Sequence, residues 1–301
     1  MTNKSRAAVM AVIASLILTT TLISTHVRAA DDQQTVDKLK AILASPDRSA
    51  QNKARDQYRH PLEVLTFFGI KPDMTVVEVW PGEGWYTEIL APFLKEHGKL
   101  YAAFPTGQGA QRFKQKLATN PKLYYGVTIT EHGPPETTRI APEGSADMVL
   151  TFRNVHNWMA KGFAPKMFTA MFLALKPGGI LGVVEHRANP AQPQDPQAKS
   201  GYVREDYVIK LAQDAGFQLV AKSDINANPK DTKDYPAGVW TLPPTLRLKD
   251  KDKQKYLAIG ESDRMTLKFI KPLTATGASP AATTAGPESV ASPAPAAKTS
   301  P

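Results

Sequence analysis

The sequence predicts an α/β fold in which helices cover both faces of a mostly parallel sheet. Short segments rich in β-branched residues alternate with segments of helical apolar periodicity, and the connections between them are short. A glycine-rich turn also follows the first predicted strand, at 80–84. Parallel strands need crossover connections, usually helices, so this alternation is typical of a sheet that is buried on both sides.

The elements follow in order from the apolar spacing and from the residues that end each segment. Seven strands are predicted, at 75–79, 99–104, 124–130, 146–152, 180–185, 217–222 and 266–270. Helices are predicted at 36–43, 61–68, 86–95, 111–118, 164–175 and 202–215. Gly98 and Gly216 end two of these helices, and the turn at 176–179 leads into the fifth strand.

The first 29 residues have the composition of an export signal. Lys4 and Arg6 precede an apolar stretch at 7–23, and the run 27–29 (Val-Arg-Ala) resembles a cleavage site. We therefore expect residues 1–29 to be a cleaved signal peptide and the mature protein to lie in the periplasm. An uncleaved inner-membrane anchor is the alternative.

Composition also divides the rest of the chain. Residues 35–272 carry the strand and helix patterns and are expected to fold as one domain. Within it, the long segment 223–265 separates the last two strands and is expected to pack as an insertion or lid, because structureless loops of this length are uncommon in compact domains. Residues 274–301 are mostly Ala, Pro, Ser, Thr and Gly, and we expect a disordered tail there.

Cysteine content and charge limit the function classes. The sequence contains no cysteine, which excludes disulfides, thiolate catalysis and Cys-ligated zinc. The net charge is +9, but the basic residues are scattered and do not indicate a nucleic-acid site. A small-molecule substrate is the expected partner, and a basic surface also favours peripheral contact with an anionic membrane surface.

The most informative segment joins the first strand to the next helix. Glu78 lies in the strand, and Gly82 and Gly84 follow it in a tight turn. Glycines let the backbone approach a ligand closely, and the start of the helix supplies unpaired N–H groups. This arrangement predicts a nucleotide-type cofactor site in the first βα unit of an open sheet.

These features resemble the class I S-adenosylmethionine (SAM)-dependent methyltransferases. The strand order of the sequence, the turn at 78–84 and the Leu-Lys-Pro-Gly-Gly turn at 175–179 carry the resemblance. The runs 60–65, 81–87 and 260–264 look like an exported branch of that family, whose members are called predicted methyltransferases. The resemblance implies a Rossmann-like fold and SAM as cofactor.

The resemblance also implies roles for particular residues. Glu78 would support the turn, and Gly82 and Gly84 would accommodate the amino-acid part of SAM. The family's first glycine is Trp80 here, whose ring would narrow the pocket. Strand two ends near Phe104 without the carboxylate that binds the ribose hydroxyls in the family.

Polar residues after the fourth and fifth strands are the catalytic candidates. Asn154 is a candidate ligand contact, and His156 is a candidate general base. Glu185 and His186 end the fifth strand at the same edge of the sheet and can bind an anion or move a proton. For each, a purely structural hydrogen bond or ion pair is the alternative. We predict no metal site, although the two histidines and Glu185 would resemble a two-His-one-carboxylate set if they met.

Two functions remain open at this point. The first is an exported SAM-dependent methyltransferase acting on a small-molecule acceptor, with His156 or Glu185 removing a proton. The second is a binding protein of the same fold that holds a periplasmic small molecule or a membrane-surface ligand without methyl transfer. The space beside Trp80 and Phe104 distinguishes them, since a pocket filled by their rings favours binding alone.

Overall fold

The computed structural model describes residues 31–134 and 138–273. The predicted signal peptide and the predicted tail lie outside these residues. Seven strands form a single sheet in the order β3-β2-β1-β4-β5-β7-β6. The strands are β1 (Thr75–Val79), β2 (Lys99–Pro105), β3 (Val127–His132), β4 (Ala146–Phe152), β5 (Leu175–His186), β6 (Gln218–Ser223) and β7 (Arg264–Ile270). Only β7 runs antiparallel to its neighbours, which confirms the predicted mostly parallel seven-stranded sheet.

Helices cover both faces of this sheet, as the alternating pattern predicts. The first is α1 (31–44). The others are α2 (Ala50–Lys53), α3 (Asp56–Arg59), α4 (Pro61–Phe68), α5 (Thr87–Leu94), α6 (Gln108–Thr119), α7 (Val155–Ala160), α8 (Ala164–Ala174), α9 (Glu205–Asp214) and α10 (Lys253–Ile259). A short 3₁₀ helix spans Gly238–Thr241. In the described part of the chain, no helix combines the length and apolarity needed to cross a bilayer.

Two apolar cores lie on opposite faces of the central strands. Phe68 from α4 and Ile89 from α5 belong to one core, and Phe168 and Met171 from α8 belong to the other. Each of these four side chains is fully buried. The central strands β1, β4 and β5 therefore contact apolar side chains on both faces, which explains their nearly continuous hydrophobic sequences.

The chain changes direction in the sheet between β1 and β4. Val77 of β1 pairs with Tyr101 of β2 on one side and with Val149 of β4 on the other. The connection after β1 leads toward β2 and β3, whereas β4 and β5 lie on the opposite side. In open α/β sheets, ligands bind outside the carboxyl ends of the strands at such a reversal.

The structure differs from the predicted elements at their ends, at the predicted turn 176–179, which is part of β5, and in four short helices that were not predicted, α2, α3, α7 and α10. Helix α5 begins at Thr87 because residues 82–86 form turns, and β3 begins at Val127 because Tyr124 closes a turn on Asn120. Helix α7 is not predicted at all, since six residues are too few to show helical periodicity.

The insertion between β6 and β7 packs onto the domain through buried polar contacts. The Asp231 carboxylate accepts hydrogen bonds from the Tyr202 hydroxyl at 2.9 Å and from the backbone N–H of Asp263 at 2.8 Å. Arg187 donates two hydrogen bonds to Asp263, at 3.1 and 2.9 Å. These contacts hold the end of the insertion against the carboxyl edge of β5, close to the candidate site.

Candidate functional site

The turn after β1 has left-handed backbone geometry at three positions. The φ angle is +52° at Trp80, +59° at Gly82 and +74° at Gly84. Only glycine adopts such values without strain, so Trp80 is held there by its surroundings. Its backbone N–H donates to the carbonyl of Ala103 at 2.8 Å, and its carbonyl accepts from Asn154 Nδ2 at 3.3 Å.

Asn154 connects the end of β4 to the turn after β1. Its amide nitrogen donates to the carbonyl of Val79 at 2.8 Å and contacts Thr151 Oγ1 at 3.1 Å. Asn154 therefore has a structural role, which was the alternative to ligand binding, because its side chain fixes the glycine turn. Its carbonyl oxygen accepts no hydrogen bond from the described residues, and the residue also lines the adjoining cavity.

A cavity of about 320 Å³ adjoins this turn, and we call it the glycine-turn cavity. It brings together four of the six predicted cofactor contacts. These are Glu78, Trp80, Gly82 and Asn154. A Cβ atom added to Gly82 would meet no atom within 4 Å, so this glycine faces open space.

The other two predicted cofactor contacts, Gly84 and Phe104, lie outside the lining of this cavity. A Cβ on Gly84 would lie 3.0 Å from the ring of Phe113, so this glycine allows close packing of α6. Phe104 is buried, and its ring centroid lies 4.7 Å from that of Phe113. Both residues thus pack against α6, Gly84 from the turn after β1 and Phe104 from β2.

Glu78 is buried at the edge of the glycine-turn cavity. The Thr87 hydroxyl donates to its carboxylate at 2.6 Å. Burial raises the pKa of Glu78 to about 7, although the Thr87 hydrogen bond and the charge of Lys116 oppose the shift. The side chain can therefore change its charge near neutral pH in response to a ligand.

Trp80 contributes a ring to an aromatic group formed by residues after β4 and at the end of β3. Its ring centroid lies 5.9 Å from that of Trp158 and 6.1 Å from that of Phe163, both in edge-to-face geometry. Its Nε1–H donates to His132 Nε2 at 3.2 Å. Burial lowers the pKa of His132 to about 4, which keeps it a neutral acceptor. The ring thus fills the space between the turn, Trp158, Phe163 and His132.

His156 and Glu185 form a buried pair. His156 Nδ1 lies 3.0 Å from Glu185 Oε1, and the His156 backbone N–H donates to Oε2 at 3.3 Å. If the Glu185 carboxylate accepts this hydrogen bond, His156 Nδ1 is the donor and Nε2 is the nitrogen left free. The role of His156 or Glu185 as the base stays a prediction.

His186 lies beside this pair in a second cavity of about 230 Å³, which we call the histidine cavity. Its ring centroid is 5.3 Å from that of His156, and its Nδ1 is 2.5 Å from Ser262 Oγ. Burial, followed by the charges of His156 and Arg153, lowers its pKa below the usual range. Trp240 of the insertion also lines this cavity, with its ring centroid 5.9 Å from that of His156.

His156, Glu185 and His186 have ligand atoms within 4.8 Å of one another, which is the spacing of a two-His-one-carboxylate set. Both oxygens of Glu185 already accept hydrogen bonds, one from each of two backbone N–H groups. Arg153 adds positive potential around His186, which disfavours a bound cation. The absence of a metal stays a prediction.

A group of arginines at this edge of the sheet is not among the predicted site residues. Arg55, Arg59, Arg153 and Arg264 surround the carboxylate of Glu261. Two signals were available: Arg55 and Arg59 are four residues apart, the spacing of one helix face, and Arg153 directly follows β4. Nothing in the sequence places Glu261, 206 positions after Arg55, beside them.

Comparisons with known proteins identify the fold. No protein-family model matches the chain, and no curated protein matches it. Among solved structures, a SAM-dependent methyltransferase from Aquifex aeolicus is 18% identical with a TM-score of 0.51, covering 78% of this chain and 98% of its own. Phosphoethanolamine N-methyltransferase 2 from Haemonchus contortus, in complex with SAM, is 15% identical with a TM-score of 0.50, covering 71% of this chain and 53% of its own. The fold is therefore that of the class I methyltransferases, as the resemblance implied.

Proposed function

We propose that this protein is a SAM-dependent methyltransferase acting on a small-molecule acceptor. The observation that supports it most directly is the junction of the two cavities on a methyltransferase fold. The glycine-turn cavity and the histidine cavity share Arg153 and Pro244 in their walls. A cofactor beside Gly82 would thus adjoin an acceptor beside His156.

The residues at the turn fit the amino-acid part of SAM. Gly82 offers open space to a ligand backbone, and the Glu78 carboxylate, when ionised, suits a cationic amino group. When bound, SAM supplies an electrophilic methyl group. The protein then has to position the acceptor and remove its proton, and His156, oriented by Glu185, is the base in this proposal.

Calorimetric titration of the purified protein with SAM and with S-adenosylhomocysteine tests the cofactor. We expect saturable one-site binding of both. Transfer of a labelled methyl group to a periplasmic small-molecule extract tests the reaction, and His156→Gln should abolish it while the exposed-residue control His97→Gln should not. Absence of SAM binding by folded protein would contradict the proposal.

The second candidate is a binding protein that does not transfer a methyl group. Trp80 favours it, because its ring packs with Trp158 and Phe163 beside the end of strand two, where the family resemblance places the ribose contact. Phe104 offers no carboxylate for a ribose and is buried against Phe113. Binding of an extract component without SAM binding would favour this candidate.

We also propose that the protein is exported to the periplasm, with the signal peptide at 1–29 removed. The basic residues Lys4 and Arg6 before an apolar stretch support this. Mass spectrometry of the protein from a periplasmic fraction should give an N-terminus near residue 30. A full-length protein in the membrane fraction would favour the anchored alternative, and vesicle flotation with anionic lipids would test peripheral contact.

A further inference from the structure

The arginine cluster, Arg55, Arg59, Arg153 and Arg264 around Glu261, carries unbalanced buried charge. Glu261 accepts hydrogen bonds from Arg55 Nε at 2.6 Å, from Arg264 Nη1 at 3.0 Å and from Arg59 Nε at 3.3 Å. Burial alone would raise the pKa of Glu261, but the attraction of the four arginines lowers it to about 2. One carboxylate thus faces four guanidinium groups, and three positive charges have no counterion within the cluster.

Several donors of this cluster are also unused. The atoms Nη2 of Arg55, Nη2 of Arg59 and Nε of Arg264 are buried and have no hydrogen-bond partner among the described residues. Arg59 is 2% exposed. Buried donors without a partner are rare, because each forfeits its hydrogen bonds to water. A group that accepts hydrogen bonds would satisfy these nitrogens.

Arg153 is the least partnered of the four. Within residues 31–134 and 138–273, its side chain makes no hydrogen bond or salt bridge, and Glu261 is the acidic residue that attracts it most. Burial lowers its pKa to about 10. The side chain is half-buried in the wall that the two cavities share, where an opposite charge can reach it.

The cluster is open to ligands through both cavities. Arg55, Arg59 and Arg153 line the glycine-turn cavity, and Arg153 and Glu261 line the histidine cavity. Arg153 therefore lies where a molecule held beside His156 would approach a cofactor beside Gly82. The open cavities and the excess of guanidinium donors point to a ligand with an oxyanion, because guanidinium groups match phosphate and carboxylate oxygens in geometry and charge.

We propose that the arginine cluster binds a phosphate or carboxylate group of the acceptor, with Arg153 and Arg59 as its main contacts. The anion site itself does not depend on the proposed function, whereas the assignment of the anion to a methyl acceptor rests on it. The anion is a different group from the carboxylate of SAM, which would bind nearer Gly82. The acceptor is thus an anionic small molecule, and the cluster fixes its orientation toward His156.

Titration of the full protein with inorganic phosphate, and separately with acetate, tests the site. We expect one saturable site for at least one of these anions. Arg153→Gln should weaken it at least about tenfold, because a hydrogen bond to a charged group is lost. The exposed Arg112→Gln removes the same charge away from the cavities and should leave the affinity unchanged.

The unfolding temperature gives a second test that does not depend on the calorimetric titration. Arg153→Gln removes an unpartnered charge without breaking a hydrogen bond, so the ligand-free variant should unfold at a higher temperature than the wild type. Phosphate should raise the unfolding temperature of the wild type more than chloride of equal ionic strength, and this difference should vanish in Arg153→Gln. A folded Arg153→Gln protein that binds phosphate like the wild type would overturn the proposal.

Titration with phosphate in the presence of saturating SAM distinguishes a site for an anionic acceptor from a site for the carboxylate of SAM. Simultaneous binding of phosphate and SAM supports an acceptor site. Mutual exclusion overturns that assignment, since the cluster would then hold the carboxylate of SAM. Phosphate binding without any SAM binding would contradict the methyltransferase function while supporting an anion site, and no saturable binding of phosphate or acetate would overturn the anion site itself.

Discussion

The two sides of the glycine turn have opposite character, although both lie at the carboxyl edge of the same sheet. On one side, the ring of Trp80 packs with Trp158 and Phe163, which follow β4, and with His132 at the end of β3, and the space is closed. On the other side, toward the N-terminal helices and the insertion, two cavities are open and their shared wall contains a charged residue, Arg153. The closed side excludes ligand atoms by volume, whereas the open side attracts them by charge.

This difference limits what the protein can hold. The closed side lies beside the end of strand two, where the family resemblance places the ribose contact, and the open side contains Gly82, where it places the amino-acid part of SAM. Ligand discrimination should therefore depend on Gly82 and the arginines more than on Phe104. Four changes test or sharpen this comparison.

The largest effect should come from Gly82→Val. The Cβ would enter open space in the glycine-turn cavity, where the branched side chain would displace any ligand. We expect SAM affinity to fall about a thousandfold, equivalent to about 4 kcal/mol. Calorimetry on the folded variant measures this.

Gly144→Val is the matched control for Gly82→Val. Gly144 has a φ of +61° against +59° for Gly82, and a Cβ there also meets open space, but it lines neither cavity. Both variants should lose about 1–2 kcal/mol of stability from backbone strain, and only Gly82→Val should lose binding. Equal SAM affinities of the two variants would show that the ligand does not bind at the turn.

Glu78 lies at the boundary between the two sides, and Glu78→Gln should change the pH dependence of stability. The pKa of about 7 in the folded state exceeds the value of 4.5 in the unfolded state, so the native protein binds the proton more tightly. The stability that this proton binding contributes is present below pH 4.5 and is lost as the pH rises through 7.

The variant lacks this titration. Its free energy of unfolding should match that of the wild type at acidic pH and exceed it by about 3 kcal/mol above pH 8. Urea unfolding across this range measures the difference, with the exposed Glu63→Gln as control. If the free energies of unfolding of Glu78→Gln and the wild type changed in parallel with pH, burial of the Glu78 carboxylate would already be compensated by its interactions in the folded state.

Trp80→Gly should open the closed side. It restores the first glycine of the family pattern, removes a left-handed tryptophan and vacates the space beside Trp158. We expect SAM affinity to rise about tenfold, while the lost packing destabilises the fold by about 3–5 kcal/mol. Phe163→Ala creates a cavity in the same aromatic group without changing the turn. If Trp80→Gly binds SAM more weakly than the wild type, the ring is itself a ligand contact.

The sequence predicted the sheet well because its signals are local. The bounds of β1 and β4 match the predicted ranges, and each of these strands has an apolar run that ends at a turn or a polar residue. Alternating strands and helices then fix a mostly parallel sheet, because crossover connections leave few other arrangements. Gly82 and Asn154 were placed at the site for the same reason.

The arginine cluster could not be predicted in this way. Arg59 and Glu261 are 202 positions apart, and their contact depends on how the insertion packs against the N-terminal helices. The end of strand two lies one residue later than predicted. Phe104 is buried against Phe113, and its role as a cofactor contact stays a prediction.

The smallest effect should come from restoring a carboxylate after strand two. Strand β2 continues through Pro105, so the first residue beyond it is Thr106, which is exposed. Phe104→Asp would bury a charge against Phe113 and should destabilise the fold without improving binding. Thr106→Asp should instead strengthen SAM binding by about two- to fivefold, because an exposed hydrogen bond contributes about 0.5–1 kcal/mol. Combined with Trp80→Gly the gain should exceed the sum of the separate free-energy changes, since the ring limits access to the ribose position. A gain in Thr106→Asp alone as large as in the double variant would show that Trp80 does not close this side of the turn.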